Sequence, residues 1–341
     1  MKKKETILVT GGAGYIGANI LFYLLKNNID FVVCDNFSNC TDYSIKQLEK
    51  HFNRKIKVYN ADICDRDALK QIFEENNITK VLHLAGKKYI GESFKMPEYY
   101  YQNNVEATKN ILNVMNEFGV SKMYFASSIA TYGSPKYLPL DTKMPLEPIS
   151  PYGQNKKECE EIISAWQNQS PNRLAVLFRF TNPIGSRVNP NLGDLSTSEY
   201  QNLVPYLTST ISKNKPISIN GNDHPTADGT VERDYIDVKD LSRAICDVMN
   251  LERNSGKYTY VVGRGKTYSV LQILKTLFSI YGKELKYGVN PKRDGDVPTI
   301  TADITPLIND INFKPHYSLY QTLLAQKKYT EQINVGLQLS K

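Results

Sequence analysis

Through the first half of the chain, short apolar runs alternate with longer amphipathic stretches. The runs Ile7–Thr10, Phe31–Cys34, Lys57–Asn60, Val81–Leu84, Met123–Ala126 and Leu174–Phe178 are each a few residues long, which predicts strands. Between the first two, Ile16, Ile20 and Leu24, with Leu21 and Leu25 alongside, recur at helical spacing and form one apolar stripe. Short strands separated by helices are βαβ units, whose strands pair in parallel and are covered on both faces. After about Thr181 the regularity degrades. Pro, Gly and Asn cluster in Asn182-Pro-Ile-Gly, Asn189-Pro-Asn, Gly221-Asn-Asp-His-Pro and Asp228-Gly, with helical patterns near Leu203–Ser212, Val238–Leu251 and Val270–Tyr281. The pattern predicts an α/β fold, a doubly wound parallel sheet over residues 1–180 with a smaller mixed α/β part over 181–341. Some segments of the second part are allowed to return to the first. A ligand crevice is expected between them, at the carboxyl ends of the strands.

Composition narrows this little. Hydrophobic residues make up 41% and charged residues 23% of 341, an ordinary globular balance that argues against disorder. The formal charge of +7 is spread along the chain, so it reads as a solvated lysine-rich surface and gives no case for nucleic acid. The five cysteines (34, 40, 64, 159 and 246) show neither C-x-x-C spacing nor a disulfide framework, which fits a reduced, cytoplasmic setting. No histidine sits at metal-ligand spacing, and His83, inside the apolar run Val81–Ala85, reads as a core residue. The basic start Met1-Lys-Lys-Lys precedes only Ile7-Leu-Val before Thr10-Gly-Gly, too short an apolar stretch for a signal core or a membrane span.

Three motifs carry chemistry. In Thr10-Gly-Gly-Ala-Gly-Tyr-Ile-Gly17, the residues Gly11, Gly14 and Gly17 follow a predicted strand and open a predicted helix. Glycines there permit a tight turn, close approach of a pyrophosphate to the backbone, and close helix packing. Asp35 ends the second strand about 20 residues on, where a carboxylate binds an adenosine ribose and repels a 2′-phosphate, favouring NAD over NADP. In Tyr152-Gly-Gln-Asn-Lys156, Ser150-Pro151 is a helix start, and Tyr152 and Lys156 share one helical face with Cys159 and Ile163. A neighbouring ammonium would favour the phenolate and make the pair a general acid/base. Finally, Ser127 and Ser128 follow the fifth strand, where a hydroxyl can bond a substrate oxygen and pass its proton to the tyrosine.

In this order and spacing the motifs resemble the extended short-chain dehydrogenase/reductase family, nearest to its nucleotide-sugar 4-epimerases. The resemblance runs along nearly the whole chain. It includes Leu84-Ala-Gly-Lys-Lys-Tyr-Ile-Gly-Glu-Ser93, Asn103-Asn-Val105, Arg179–Gly185, Gly221-Asn-Asp-His-Pro-Thr226, Arg233-Asp-Tyr-Ile236 and Arg293-Asp-Gly-Asp296. It implies a Rossmann-type fold holding NAD through Gly11, Gly14, Tyr15, Ile16, Gly17, Asp35, Asn36, Asp62, Ile63, Leu84, Ala85, Gly86, Lys88, Asn104, Tyr152, Lys156 and Phe180. It implies further that Ser128, Tyr152, Asn182, Asn202, Leu203, Arg233, Arg293, Asp296 and Ile300 bind a UDP-sugar. Two arginines can grip a pyrophosphate bidentately, and Asp296 can accept from ribose hydroxyls. No metal is implied.

The implied reaction is reversible epimerisation at C4 of a UDP-hexose through a 4-keto intermediate, with Ser128, Tyr152 and Lys156 catalytic. Dehydration is disfavoured, because Ser128 is followed by Ile129-Ala130 and no carboxylate. The position implied to limit the pocket at the sugar C2 substituent holds Ile300, neither large aromatic nor small, so N-acetylhexosamine and glucuronate nucleotides stay open as alternatives. Phe180-Thr181 departs from the pattern's tyrosine-phenylalanine. A dinucleotide-sensing regulator without catalysis would be expected to lack the tyrosine or the lysine. By the same resemblance, a homodimer would pair the helices around Glu98–Phe118 and Pro151–Gln169.

Overall fold

A computed structural model describes residues 5–194, 202–293 and 295–339, the last five without their side chains. The basic start Met1-Lys-Lys-Lys and Asp294 lie outside the described residues. Strands β1 (Thr6–Thr10), β2 (Phe31–Asp35), β3 (Val58–Asn60), β4 (Ile78–His83), β5 (Lys122–Ser128) and β6 (Leu174–Phe180) build most of one sheet. They are followed by β7 (Asn182–Ile184), β8 (Ile217–Asn220), β9 (Glu232–Asp237), β10 (Gly256–Val262), β11 (Thr267–Ser269) and β12 (Tyr287–Asn290). The large sheet has the order β10-β6-β5-β4-β1-β2-β3, and every pairing in it is parallel. Strand direction of travel therefore reverses between β1 and β4, which opens a crevice at their carboxyl ends.

Alternation along the buried strands feeds two cores. Ile7 and Val9 pack with the helices Tyr15–Lys26 and Val238–Met249 on one face. Leu8 packs on the other face with the helices Arg66–Glu75, Ala107–Glu117 and Pro151–Asn168. The expected helix around Glu98–Phe118 is a near-continuous rod, α-helical over Pro97–Tyr101 and Ala107–Glu117 with wider π turns over Gln102–Glu106. The second half holds a separate core around Leu207, Ile211, Ile273, Leu274 and Leu323. There the sheet β11-β9-β7 and the pair β12-β8 stand beside the helices Leu203–Ser212, Val270–Tyr281 and Leu319–Leu339.

One feature departs from the sequence reading, and a second is a segment of the later part that returns, as that reading allowed. Asn182–Ile184, which reads as loop because of its proline, is strand β7, paired in parallel with β9. The tyrosine-rich segment Gly256–Val262 returns to the large sheet beside β6. Both strands owe their place to partners distant in sequence, which local pattern does not encode. No helix among the described residues is long and apolar enough to cross a membrane.

Candidate active site

One groove runs across the crevice, and all but one of the expected site residues line it. Its floor is the turn after β1. Gly11 has φ +71°, and a Cβ there would lie 2.7 Å from the Ala85 nitrogen. At Gly17 a Cβ would lie 2.3 Å from the Gly11 carbonyl, so the helix could not seat against the turn. Gly14 differs. Its Cβ would meet nothing closer than the Gly11 carbonyl at 3.4 Å, so the protein's own packing does not demand glycine there. A ligand approaching the backbone does, and the helix Tyr15–Lys26 starts at this point with no acidic residue in its first turn. Asp35 closes this end. It is buried, and its carboxylate accepts from the Ala13 and Phe37 N–H groups at 3.0 Å each. Burial pushes its carboxyl above the ordinary carboxylate range, and those bonds oppose the shift. A pyrophosphate on the helix N-terminus and a ribose against Asp35 suit a dinucleotide, so the residues present fit NAD.

The middle of the groove holds the tyrosine–lysine pair. Ser150 caps the helix Pro151–Asn168 by accepting from the Gly153 N–H at 3.1 Å, and proline occupies the first turn. Tyr152 and Lys156 are both buried on that helix. The Lys156 ammonium donates to the Ala126 carbonyl at 2.8 Å and sits 4.6 Å from the Phe125 ring centre. Ser128 ends β5, and its hydroxyl oxygen accepts from the Ala130 N–H at 3.1 Å, which leaves the hydroxyl proton to be donated into the groove.

The electrostatics bring in a second cation. Burial raises the Tyr152 phenol above its ordinary range, and the forces opposing it are the Ser128 hydrogen bond and the charge of Lys88. Helical spacing sets Tyr152 and Lys156 on one face, but the long lysine chain reaches back to the end of β5. Burial draws the Lys156 ammonium below its ordinary range, with Cys159 and Glu160 opposing. Lys88 is held by Asp194 at 3.4 Å, and that pairing outweighs desolvation and keeps its proton bound more tightly than usual.

Asn104 is the expected residue that does not line the groove. It is buried, and its amide is used on the main chain of Lys87, accepting from the N–H at 2.8 Å and donating to the carbonyl at 3.1 Å. It holds the loop after β4. Sequence reading missed Asp194, Cys40 and Asn290, all of which line the groove. Asp194 had no detectable signal, since its partner lies far away in sequence. The departure at Phe180-Thr181 lines the groove beside Tyr152.

The far end is cationic. Arg233 donates to the Val297 carbonyl at 2.6 Å, and Asp296 stands 3.5 Å away. Burial lowers the affinity of Arg233 for its proton, Tyr235 and Asp296 oppose that, and neighbouring Arg293 adds to it. Asn182, Asn202, Leu203 and Ile300 complete this stretch, and the buried Asn182 Oδ1 has no hydrogen-bond partner within the protein. Two facing cations with one carboxylate favour an anion such as a pyrophosphate. Among the described residues no cluster of His, Cys, Asp and Glu could hold a metal ion.

Fold and groove define a Rossmann-type dinucleotide enzyme with a tyrosine–serine–lysine centre and an anion-binding arm. Sequence comparison agrees: a family model described as the NAD dependent epimerase/dehydratase family matches residues 7–263, and the chain belongs to that family. The chain is similar to UDP-glucose 4-epimerase of Dictyostelium discoideum, 36% identical over 91% of each sequence. It resembles that of Bacillus subtilis at 37% identity, over 87% of this chain and 88% of the relative. The crystal structure of UDP-glucose 4-epimerase from Bifidobacterium longum, in complex with NAD+ and UDP, superposes with a TM-score of 0.93. It is 32% identical, over 97% of this chain and 99% of that one.

Proposed function

We propose that this protein is an NAD-dependent 4-epimerase of UDP-hexoses, interconverting UDP-glucose and UDP-galactose. The observation that carries the reading is the continuity of the groove. A dinucleotide seated between Gly14 and Asp35 and a nucleotide sugar anchored at Arg233 and Arg293 meet at Tyr152 and Ser128. The bound NAD would accept the hydride of the sugar C4 and return it to the opposite face. The protein's own groups manage the proton. Ser128, its oxygen already accepting from Ala130, would take the proton of the sugar 4-hydroxyl as it passes its own to a Tyr152 phenolate, and the reverse transfer would return it. Burial holds the Tyr152 phenol above its ordinary range, and Ser128 and Lys88 are the groups that oppose it. Lys156, braced on the Ala126 carbonyl, would hold the nicotinamide ribose. Residues 1–180 serve the cofactor and 181–341 the UDP-sugar, with Gly256–Val262 rejoining the first part. The free state of all five cysteines supports a cytoplasmic location. A homodimer pairing the helices around 98–118 and 151–169 completes the proposal, and sedimentation as a monomer at micromolar concentration would remove that element.

The experiment is an NMR time course of the purified protein with UDP-galactose and, separately, UDP-N-acetylgalactosamine, without added NAD. Conversion of the first alone is expected. Conversion of both would extend the substrate to N-acetylhexosamines and show that Ile300 leaves room at C2. Conversion of neither, even with NAD supplied, would sink the reading.

A further inference from the structure

Beneath the reactive corner lies an ion pair that the mechanism does not use. Glu160 and Arg179 have side chains only 4% and 7% exposed, and neither lines the groove. Arg179 Nε donates to Glu160 Oε1 at 3.0 Å and Oε2 at 3.2 Å, and Nη2 donates to Oε2 at 2.6 Å. The Ser127 hydroxyl donates to Glu160 Oε1. Arg179 Nη1 donates to the Tyr132 oxygen at 2.8 Å, and that hydroxyl donates to the Asp141 carbonyl at 2.7 Å. A buried ion pair is a poor source of stability, because desolvation of both charges cancels most of their attraction. Its place in the fold points elsewhere.

Tyr152, Lys156 and Glu160 recur at every fourth position of the helix Pro151–Asn168, so one stripe carries the acid/base pair and then the carboxylate. On the sheet, Ser127 is directly opposite Arg179 and Ser128 directly opposite Phe180. Alternation puts Ser127 and Arg179 on the face covered by that helix, while Ser128 and Phe180 take the opposite side chain direction. Glu160 thus grips both strand ends, through Ser127, itself on the groove wall, and Arg179, one residue before Ser128 and Phe180. We propose that Glu160 and Arg179, through Ser127, are positioning residues that lock the ends of β5 and β6 to the helix, so that Ser128 and Phe180 stand in fixed geometry to Tyr152 and Lys156. This inference rests on the epimerase reading. Its physical basis is the sensitivity of proton and hydride transfer to displacements well under an ångström, which a single anchored strand end controls.

The test separates positioning from stability. The double variant Glu160→Met/Arg179→Met removes both charges at once and leaves no orphaned ion, so its melting temperature is expected to stay at or above that of the wild type. Turnover with UDP-galactose is expected to fall by about 30-fold or more, with KM within about twofold and NAD content unchanged. Ser127→Ala, which keeps the ion pair and cuts only the link to β5, is expected to lower kcat by about fivefold with the same unchanged KM. A double variant that turns over within about twofold of an active wild type would overturn the inference and leave the epimerase reading standing. Should the double variant fail to fold, Ser127→Ala decides: wild-type kcat in it overturns the inference. A wild-type protein that converts no UDP-sugar overturns both.

Discussion

The two ends of the groove handle charge in opposite ways. At the hydride corner each of three ions is answered: buried Lys156 by the Ala126 carbonyl, half-exposed Lys88 by Asp194, and buried Glu160 by Arg179. At the phosphate end, Arg293 adds its positive charge to that of Arg233, whose single ion-pair partner among the described residues is Asp296 at 3.5 Å. The difference follows from what each end must do. A transition state is stabilised by dipoles that are already in place before the reaction, so the corner is organised in the absence of substrate. Affinity for an anion instead comes from positive charge left incompletely neutralised, which the ligand itself completes.

The contrast makes predictions that differ in kind at the two ends. The largest effect belongs to the corner. Tyr152→Phe removes the acid/base hydroxyl without changing the shape of the cavity. It should lower kcat by about a thousandfold while the protein still retains NAD, measured by turnover of UDP-galactose and by nucleotide content. At the other end, Arg293→Ala should raise KM for the UDP-sugar by roughly 10- to 100-fold, the worth of one charge-assisted contact, and alter kcat little. An effect on kcat there as large as that of Tyr152→Phe would erase the distinction between the two ends.

Stability at low pH tests the same contrast more gently. His83 lies in the corner, 1% exposed, between the hydroxyls of Thr10 at 2.8 Å and Thr108 at 3.2 Å. Burial, assisted by the charge of Lys156, pushes its pKa down to about 3. The unfolded chain therefore binds this proton first as pH falls below the ordinary value of about 6.5. The neutral imidazole's contribution is full above that pH and is lost progressively down to about 3. Between pH 7 and pH 5 the loss should be about 2 kcal/mol, read from urea midpoints, and His83→Asn should flatten that slope. The smallest expected effect is at the adenosine end. Asp35→Asn keeps the shape but loses the charge, and should weaken NAD only a few-fold while easing the repulsion of NADP. Titrations of the stripped protein with each cofactor measure both.

How much of the site could be read in advance depended on distance along the chain. The glycine turn was legible because strand, turn and helix follow one another within a dozen or so positions, and the geometry that requires glycine is local. The same holds for Tyr152 and Lys156, which one helix carries. The direction of their side chains was not legible: Lys156 turns to the sheet, and Lys88, from the loop after β4, also acts on the phenol. Asn104 was assigned to the cofactor by resemblance, yet it serves the backbone of Lys87, a distinction set by how a helix and a loop pack.

Hydrophobic periodicity and turn chemistry by themselves determined the parallel sheet, the dinucleotide turn, the acidic end of β2 and the helix with its reactive pair. These rest on contacts within a few residues, where spacing and backbone preference act directly. The tertiary structure decided the return of Gly256–Val262 to the sheet, the Lys88–Asp194 pair and the joining of Ser127, Glu160 and Arg179. Each of those depends on chain segments that meet only after the core has closed, because a charge or a strand edge has no partner until burial supplies one.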